Sequence, residues 1–246
     1  MVGMSIVIPV YNSEDCLVEL TNQLIVTLKN FEIEILFIND GSKDNSWLAI
    51  LELSKRHNCV SGVNLMKNFG QDNAIMAGVG FVKYEKIVIM DDDLQHNPND
   101  ILVLYSQIEQ GYDVCYGNFA VKKQALWKNI GSYINGQFAE KLINKPKGLY
   151  MSPFKIIKKR VVDLIIQRQY LYPYIDGIIF TLTDNITQIQ VKHNDRFSGE
   201  SNYTFLKSIR VFLKLLTGFS IYPLRLVTLL GLMSSFLGMM TGIFLI

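Results

Sequence analysis

Apolar and polar positions along the chain repeat as a short apolar run followed by a stretch with helical spacing. Residues 5–10 form the first run, punctuated by Pro9 and closed by Asn12, which predicts a strand buried on both faces. Over 14–30, Leu17, Leu20, Leu24 and Leu28 recur three or four positions apart, the spacing that lines one face of a helix. The alternation continues with a strand over 32–39 and a helix over 44–56 that carries Trp47, Ile50 and Leu51 on one face. A strand over 62–66, a small-residue helix over 71–82, a strand over 86–90, a helix over 99–110 and a strand-like segment over 113–117 follow. Such β-α-β-α order predicts an α/β fold, with a doubly wound, mostly parallel sheet and right-handed crossovers.

The second half is less regular. Residues 125–143 have helical spacing (Trp127, Ile130, Ile134, Phe138), and 154–168 begin like a strand and continue as a helix over 161–166. Residues 178–182 and 186–191 read as two strands of a hairpin around Thr183-Asp184-Asn185, and 193–203 as a polar loop. Over 203–219, Lys207, Arg210 and Lys214 oppose Phe205, Leu206, Phe212, Leu213 and Leu216. That stretch reads either as a surface helix packed on the core or as a helix lying in a membrane interface, the second favoured by its place just before the final segment.

Composition locates the excess of apolar surface. Hydrophobic residues make up 49% of the 246 and charged ones 19%, with a mean hydropathy of +0.20. Residues 226–246 carry no charge, and at about 1.5 Å per residue they reach roughly 30 Å, the thickness of a bilayer core. A buried core helix is the other reading, but a terminal segment has little left to pack against. The sequence stops while still apolar, so more of a membrane region is expected beyond it. Lys207, Arg210, Lys214 and Arg225 ahead of the span put the preceding part on the cytosolic side. No signal peptide is read at the start, since the first apolar run is short and Glu14 and Asp15 follow at once. Cys16, Cys59 and Cys115 are scattered without metal-ligand spacing, as in a reduced cytosolic domain. A net charge of +2 without a basic, aromatic-laced stripe argues against nucleic acid as a partner.

In doubly wound sheets ligands bind beyond the carboxyl ends of the strands, and there the polar signals fall: Tyr11-Asn12, Asn39-Asp40-Gly41-Ser42 and Asp91-Asp92-Asp93. Three adjacent carboxylates repel one another, and a hard divalent cation relieves the repulsion while sharing oxygen ligands with a substrate phosphate. In an extended segment Asp91, Asp93 and Gln95 would face the metal, and Asp92 a nucleotide or a backbone donor. A solvated turn with an aspartate cap is the competing reading. Gly41 permits a tight turn and Ser42 or Asp44 a helix cap. Asp40 is thereby left to bond a base or ribose, unless the segment is only a turn.

Ile8-Pro9-Val10-Tyr11-Asn12, then Asn39 to Asp44, then Asp91-Asp92-Asp93-Leu94-Gln95-His96-Asn97-Pro98 resemble the successive motifs of family 2 glycosyltransferases with the GT-A fold. Asn68-Phe69-Gly70-Gln71 and Arg196-Phe197-Ser198-Gly199-Glu200-Ser201-Asn202-Tyr203 are similar to elements of the polyprenyl-phosphate group, which includes dolichyl-phosphate mannose synthase and bactoprenol glucosyltransferase. The resemblance implies that Pro9, Tyr11 and Asp40 contact the nucleoside of a UDP- or GDP-linked sugar. It implies that Asp91, Asp93 and Gln95 hold Mg²⁺ or Mn²⁺ and the donor diphosphate, and that Arg196 and Ser201 bind phosphate at the reaction centre. Tyr203 would order that loop. Glu14 stands where the family often carries a nucleotide-facing acid, although Ser13 interrupts the usual pattern. Lys122, Lys123 and Lys128 replace the family's arginines and still neutralise phosphate. Met151-Ser152-Pro153-Phe154-Lys155 is closer to the subgroup handling aminoarabinose and related sugars.

The expected protein is therefore a metal-dependent glycosyltransferase. Its GT-A catalytic domain spans 1–203, an amphipathic interfacial helix 204–222 and a transmembrane segment 223–246. It would transfer a sugar with inversion to undecaprenyl or dolichyl phosphate at the cytosolic face of a cell membrane, the bacterial inner membrane foremost. His96 and His193, lone and beside loops, read as structural rather than as bases. A transferase acting on a cell-surface glycan, without the Q-x-x-R-W motif of processive synthases, and a membrane-anchored nucleotide-binding module are the competing functions. The oligomeric state, homo-oligomer included, is left open.

Overall fold

The computed structural model describes residues 2–119, 145–168, 173–191 and 222–245. Its first half alternates as the apolar runs require: β1 (Gly3–Val10), α1 (Glu14–Thr27), β2 (Glu32–Asn39), α2 (Ser46–Arg56), β3 (Val60–Asn64), α3 (Gln71–Val79), β4 (Lys86–Ile89) and α4 (Asn99–Glu109). Then come β5 (Val114–Phe119), β6 (Lys155–Lys158), α5 (Lys159–Gln167), α6 (Ile175–Leu182), β7 (Ile186–Val191) and α7 (Tyr222–Leu245). The sheet runs β3-β2-β1-β4-β6-β5-β7. All neighbours are parallel except β6, which lies antiparallel to both β4 and β5.

Alternate residues of the central strands feed two cores, as the period of two in a strand demands. Met4, Ile6 and Ile8 of β1 pack with Ile35 and Phe37 of β2 against α1, α2 and α4. Val7, Leu36, Ile38, Ile87 and Ile89 face α3, α5 and α6. Leu17, Leu20 and Leu24 of α1 are fully buried, and each contributes about 1.5–3 kcal/mol. The small residues of α3 let it approach the sheet closely: a Cβ on Gly78 would lie 2.6 Å from Val7 Cγ1 and 2.9 Å from Ile38 Cγ1.

Three expectations need correction. Residues 178–182 are not a strand but the end of α6, and β7 pairs in parallel with β5, so there is no hairpin. Ile175, Ile178 and Ile179 are buried at helical spacing while Gly177 and Phe180 are buried too, and a segment apolar all round cannot be told from a buried strand by periodicity. β3 begins two residues earlier than expected and α3 ends three residues earlier. The expected helix over 125–143, the loop over 193–203 and the amphipathic stretch over 203–219 lie outside the described residues. Within α7, Val227–Phe244 is long and apolar enough to cross a membrane, with its side chains exposed.

Asp113, at the foot of β5, ties the edge of the sheet to α5. It accepts from the Arg160 guanidinium and from Thr183 Oγ1 at 3.0 Å, with Lys158 Nζ 3.6 Å away. Burial pushes its carboxyl up, but the bonds from Arg160 and Thr183 outweigh burial and hold it below its ordinary 3.8. A carboxyl lowered on folding adds stability above its unfolded pKa and loses it as pH falls through the folded one. Asp113→Asn is expected to lose about 1–2 kcal/mol in urea unfolding at pH 7, the gap from the parent shrinking in acid.

Candidate active site

The parallel strands β1, β2 and β4 end on one rim because their register is nearly level, Val10 beside Asn39 and Val7 beside Ile89. Their tips enclose a cavity of about 300 Å³ lined by Pro9, Val10, Tyr11, Asp40, Asn68, Gly70, Gln71, Asp91, Asp92 and Asp93. Of the residues singled out in the sequence, Pro9, Tyr11, Asp40 and all three aspartates are thus brought together.

The turns behind the rim are knotted to one another. Asn12, at φ 55, donates its N–H to Ser42 Oγ at 3.1 Å and accepts from the Lys43 N–H at 2.8 Å. Asp44 accepts from the Ser46 N–H and hydroxyl just ahead of α2, whose N-cap position is held by Asn45 without a side-chain bond, so neither Ser42 nor Asp44 is the N-cap residue expected. Burial raises the Asp44 carboxyl, yet those Ser46 bonds leave it below 3.8. Glu14 Oε2 accepts from the Asn45 N–H at 2.7 Å. That contact places Glu14 against the start of α2, and it is not among the residues lining the cavity.

Asp40 is 4% exposed, and its two oxygens accept the N–H groups of Phe69 (2.7 Å) and Gly70 (2.9 Å). One carboxylate therefore clasps the 67–70 turn that forms a wall of the cavity. Gly41, at φ 65, allows the close approach: a Cβ there would stand 2.6 Å from both Asn68 N and Lys67 C.

The aspartate segment is not extended. Leu94 sits at φ 61, a left-handed turn that breaks the alternation on which the facing set Asp91, Asp93 and Gln95 rested. All three aspartates line the cavity, whereas Gln95 does not and gives its N–H to Asp93 Oδ1 at 3.2 Å. Asp92 meets a backbone donor, the Tyr11 N–H, at 3.2 Å. Gln71 Nε2 donates to Asp91 Oδ1 at 2.6 Å.

Burial, then repulsion from Asp93 and Asp92, pushes the Asp91 carboxyl up to about 7, against the pull of Lys155 and Gln71. Burial likewise lifts Asp92 to about 6, although bonds from Ser13 and Tyr11 oppose it. Lys155 is 3% exposed, paired with Asp176, and 5.0 Å from the centroid of the Tyr116 ring, whose hydroxyl also donates to Asp176. His96 is buried against Phe119 and Phe154, in keeping with a structural histidine.

Among the described residues, no three His, Cys, Asp or Glu side chains are gathered in metal-binding geometry. Lys122, Lys123, Lys128, His193, Arg196, Ser201 and Tyr203 lie outside the described residues. Asn68, Gly70 and Gln71 also line the cavity, a role the sequence motif alone does not assign to them. The signal was Gln71 in the first turn of a helix following a strand tip, the place where a side chain faces the rim.

A doubly wound sheet with polar tips of β1, β2 and β4 gathered around one cavity places a candidate ligand site where such folds carry them. The glycosyl transferase family 2 profile matches residues 5–165, and the chain belongs to that family. It is 30% identical over 245 residues to an undecaprenyl-phosphate 4-deoxy-4-formamido-L-arabinose transferase of Photorhabdus laumondii, covering 98% of this chain and 75% of that one. The Proteus mirabilis protein of the same name is 32% identical over 248 residues, covering 99% and 76%. Glucosyl-3-phosphoglycerate synthase from Mycobacterium tuberculosis, in complex with Mn²⁺, uridine diphosphate and phosphoglyceric acid, shares the fold. Its TM-score is 0.62 at 13% identity, over 87% of this chain and 77% of that one.

Proposed function

We propose that this glycosyltransferase moves a sugar from a UDP- or GDP-linked donor onto a polyprenyl phosphate, with inversion, at the cytosolic face of a membrane such as the bacterial inner membrane. The observation that carries the reading is the convergence of Tyr11, Asp40 and the three aspartates on one cavity. Likeness to two undecaprenyl-phosphate sugar transferases over nearly the whole chain supports the lipid acceptor.

Pro9, Tyr11 and Asp40 would hold the nucleoside, and the aspartates the diphosphate end. The site fits a divalent cation in donor type, since crowded carboxylates with raised proton affinity face the cavity. Mg²⁺ and Mn²⁺ commonly take one or two carboxylates and complete their shell with substrate phosphate and water, so Asp91 and Asp93 suffice. When bound, the cation would neutralise charge on the departing nucleoside diphosphate. Arg196, Lys122 and Lys123 would offset the charge of two anionic reactants, with Ser201 on phosphate and Tyr203 ordering the loop. The acceptor needs no strong base, because a phosphate monoester with a second pKa of about 6 is already anionic at neutral pH. We assign catalysis to residues 1–203, an interfacial stretch to 204–222 and the membrane segment to 223–246.

The test is transfer by the detergent-solubilised chain, given undecaprenyl phosphate, Mn²⁺ or Mg²⁺, and a panel of UDP- and GDP-sugars that includes formamido-arabinose. At least one donor should yield a glycolipid; none from any donor refutes the reading. Arg196→Ala should reduce transfer by about a hundredfold with nucleotide binding much less affected. Equal loss of both refutes the role given to Arg196.

A further inference from the structure

The aspartate loop is closed by a residue to which the proposed reaction gives no part. β4 ends at Ile89, so the Asp91 N–H lies beyond the ladder and needs an acceptor from elsewhere. It donates to His96 Nδ1 at 3.1 Å, five residues on. The chain makes that return by placing Leu94 at φ 61, a conformation side-chain-bearing residues keep only when their surroundings hold them there.

His96 has such surroundings. It is 3% exposed and stacks on Phe154, with centroids 4.9 Å apart and planes at 16°, and on Phe119, at 5.3 Å and 8°. Phe119 ends β5 and Phe154 immediately precedes β6, so the imidazole joins the aspartate loop to the antiparallel part of the sheet. With Nδ1 accepting, the proton of the neutral ring sits on Nε2, and that nitrogen is 4.0 Å from Asp91 Oδ2. One ring thus grips the Asp91 backbone and stands beside its carboxylate.

We propose that His96 is a positioning residue: its Nδ1 fixes the Asp91 amide and so aims the Asp91 carboxylate into the donor cavity. This role rests on the proposed glycosyl transfer for its ligand, a divalent cation with a nucleoside diphosphate. The contact itself is a property of the ligand-free chain.

Three variants separate the acceptor atom from the flat ring. His96→Phe keeps a ring for stacking and removes the acceptor. His96→Asn loses the ring but places an oxygen where Nδ1 stands, whereas His96→Gln reaches only to the position of Nε2. In the full chain in detergent, Asp91 amide exchange is followed without ligand, and Mn²⁺ affinity is followed by electron paramagnetic resonance with UDP present.

His96→Phe and His96→Gln should each exchange Asp91 about tenfold faster and bind Mn²⁺ about tenfold more weakly, the worth of one hydrogen bond. His96→Asn should recover both to within about threefold of the parent. Parental exchange and affinity in His96→Phe would overturn the proposal, as would His96→Asn failing as badly as His96→Gln. Should His96→Phe not fold, the Asn and Gln pair decides alone. Should the parent neither transfer sugar nor bind Mn²⁺ with UDP, the functional reading fails, and Asp91 exchange still decides the role of His96.

Discussion

Asp93→Ala is expected to reduce sugar transfer by about a thousandfold or more while leaving the ligand-free protein at least as stable as the parent. Asp93 lines the cavity, and its charge raises the proton affinity of both Asp91 and Asp92. A carboxyl whose pKa rises on folding adds stability only below its unfolded value, 3.8, and loses it as pH climbs through about 7. At neutral pH the crowded aspartates therefore work against the fold, and removing Asp93 relieves the repulsion, though not the burial, of the other two, which offsets the loss of its bond from the Gln95 N–H. Stability is given up where chemistry requires it. Thermal unfolding and turnover measured on the same preparation check both halves. Full activity in Asp93→Ala would refute the assignment of the diphosphate end to this cluster.

Gly41→Ala is expected to lose about 2–4 kcal/mol of stability and to raise the donor KM about tenfold or more. Two effects combine at this position. The backbone stands at φ 65, and the added Cβ would meet Asn68 N and Lys67 C, both main-chain atoms that cannot swing aside. Asp40 clasps the next two residues of that turn through their N–H groups, so the strain passes to the cavity wall formed by Asn68 and Gly70. Gly148→Ala is the control. It shares a positive φ, 73, but its Cβ would meet nothing within 4 Å, and it should cost only about 1 kcal/mol. Equal effects would mean that backbone conformation alone, and not the close approach of two turns, sets the requirement at Gly41.

The strands that build the site were legible because they are short apolar runs with polar tips. The pattern at Ser5–Val10, Glu32–Asn39 and Lys86–Met90 states a buried strand, and the doubly wound order states which ends carry ligands. What escaped was decided by contacts distant in sequence. Nothing in Lys155–Lys158 says that it will insert antiparallel between β4 and β5. Ile175–Leu182 has the composition of a strand, and its burial against the sheet beside α5 favours a helix instead.

At the site, Asp40 is legible from its place at a strand tip, and the structure sets it beside the cavity while engaging both its oxygens. The division of labour among Asp91, Asp93 and Gln95 assumed an extended backbone, and the turn at Leu94 removed it. His96, a lone histidine beside a loop, reads from sequence as structural. Its burial agrees, and its bond to the Asp91 amide depends on that same turn, which no local pattern announces.

Acceptor choice tests the central claim most directly. With a donor that turns over, the full chain is offered undecaprenyl phosphate and, separately, 3-phosphoglycerate, an acid named among the ligands of the fold neighbour. Product is followed in the organic and aqueous phases by mass spectrometry. Sugar joined through one phosphate to the lipid, made only when the lipid is present, is the predicted result. A water-soluble glycoside formed at the same rate without lipid would contradict it.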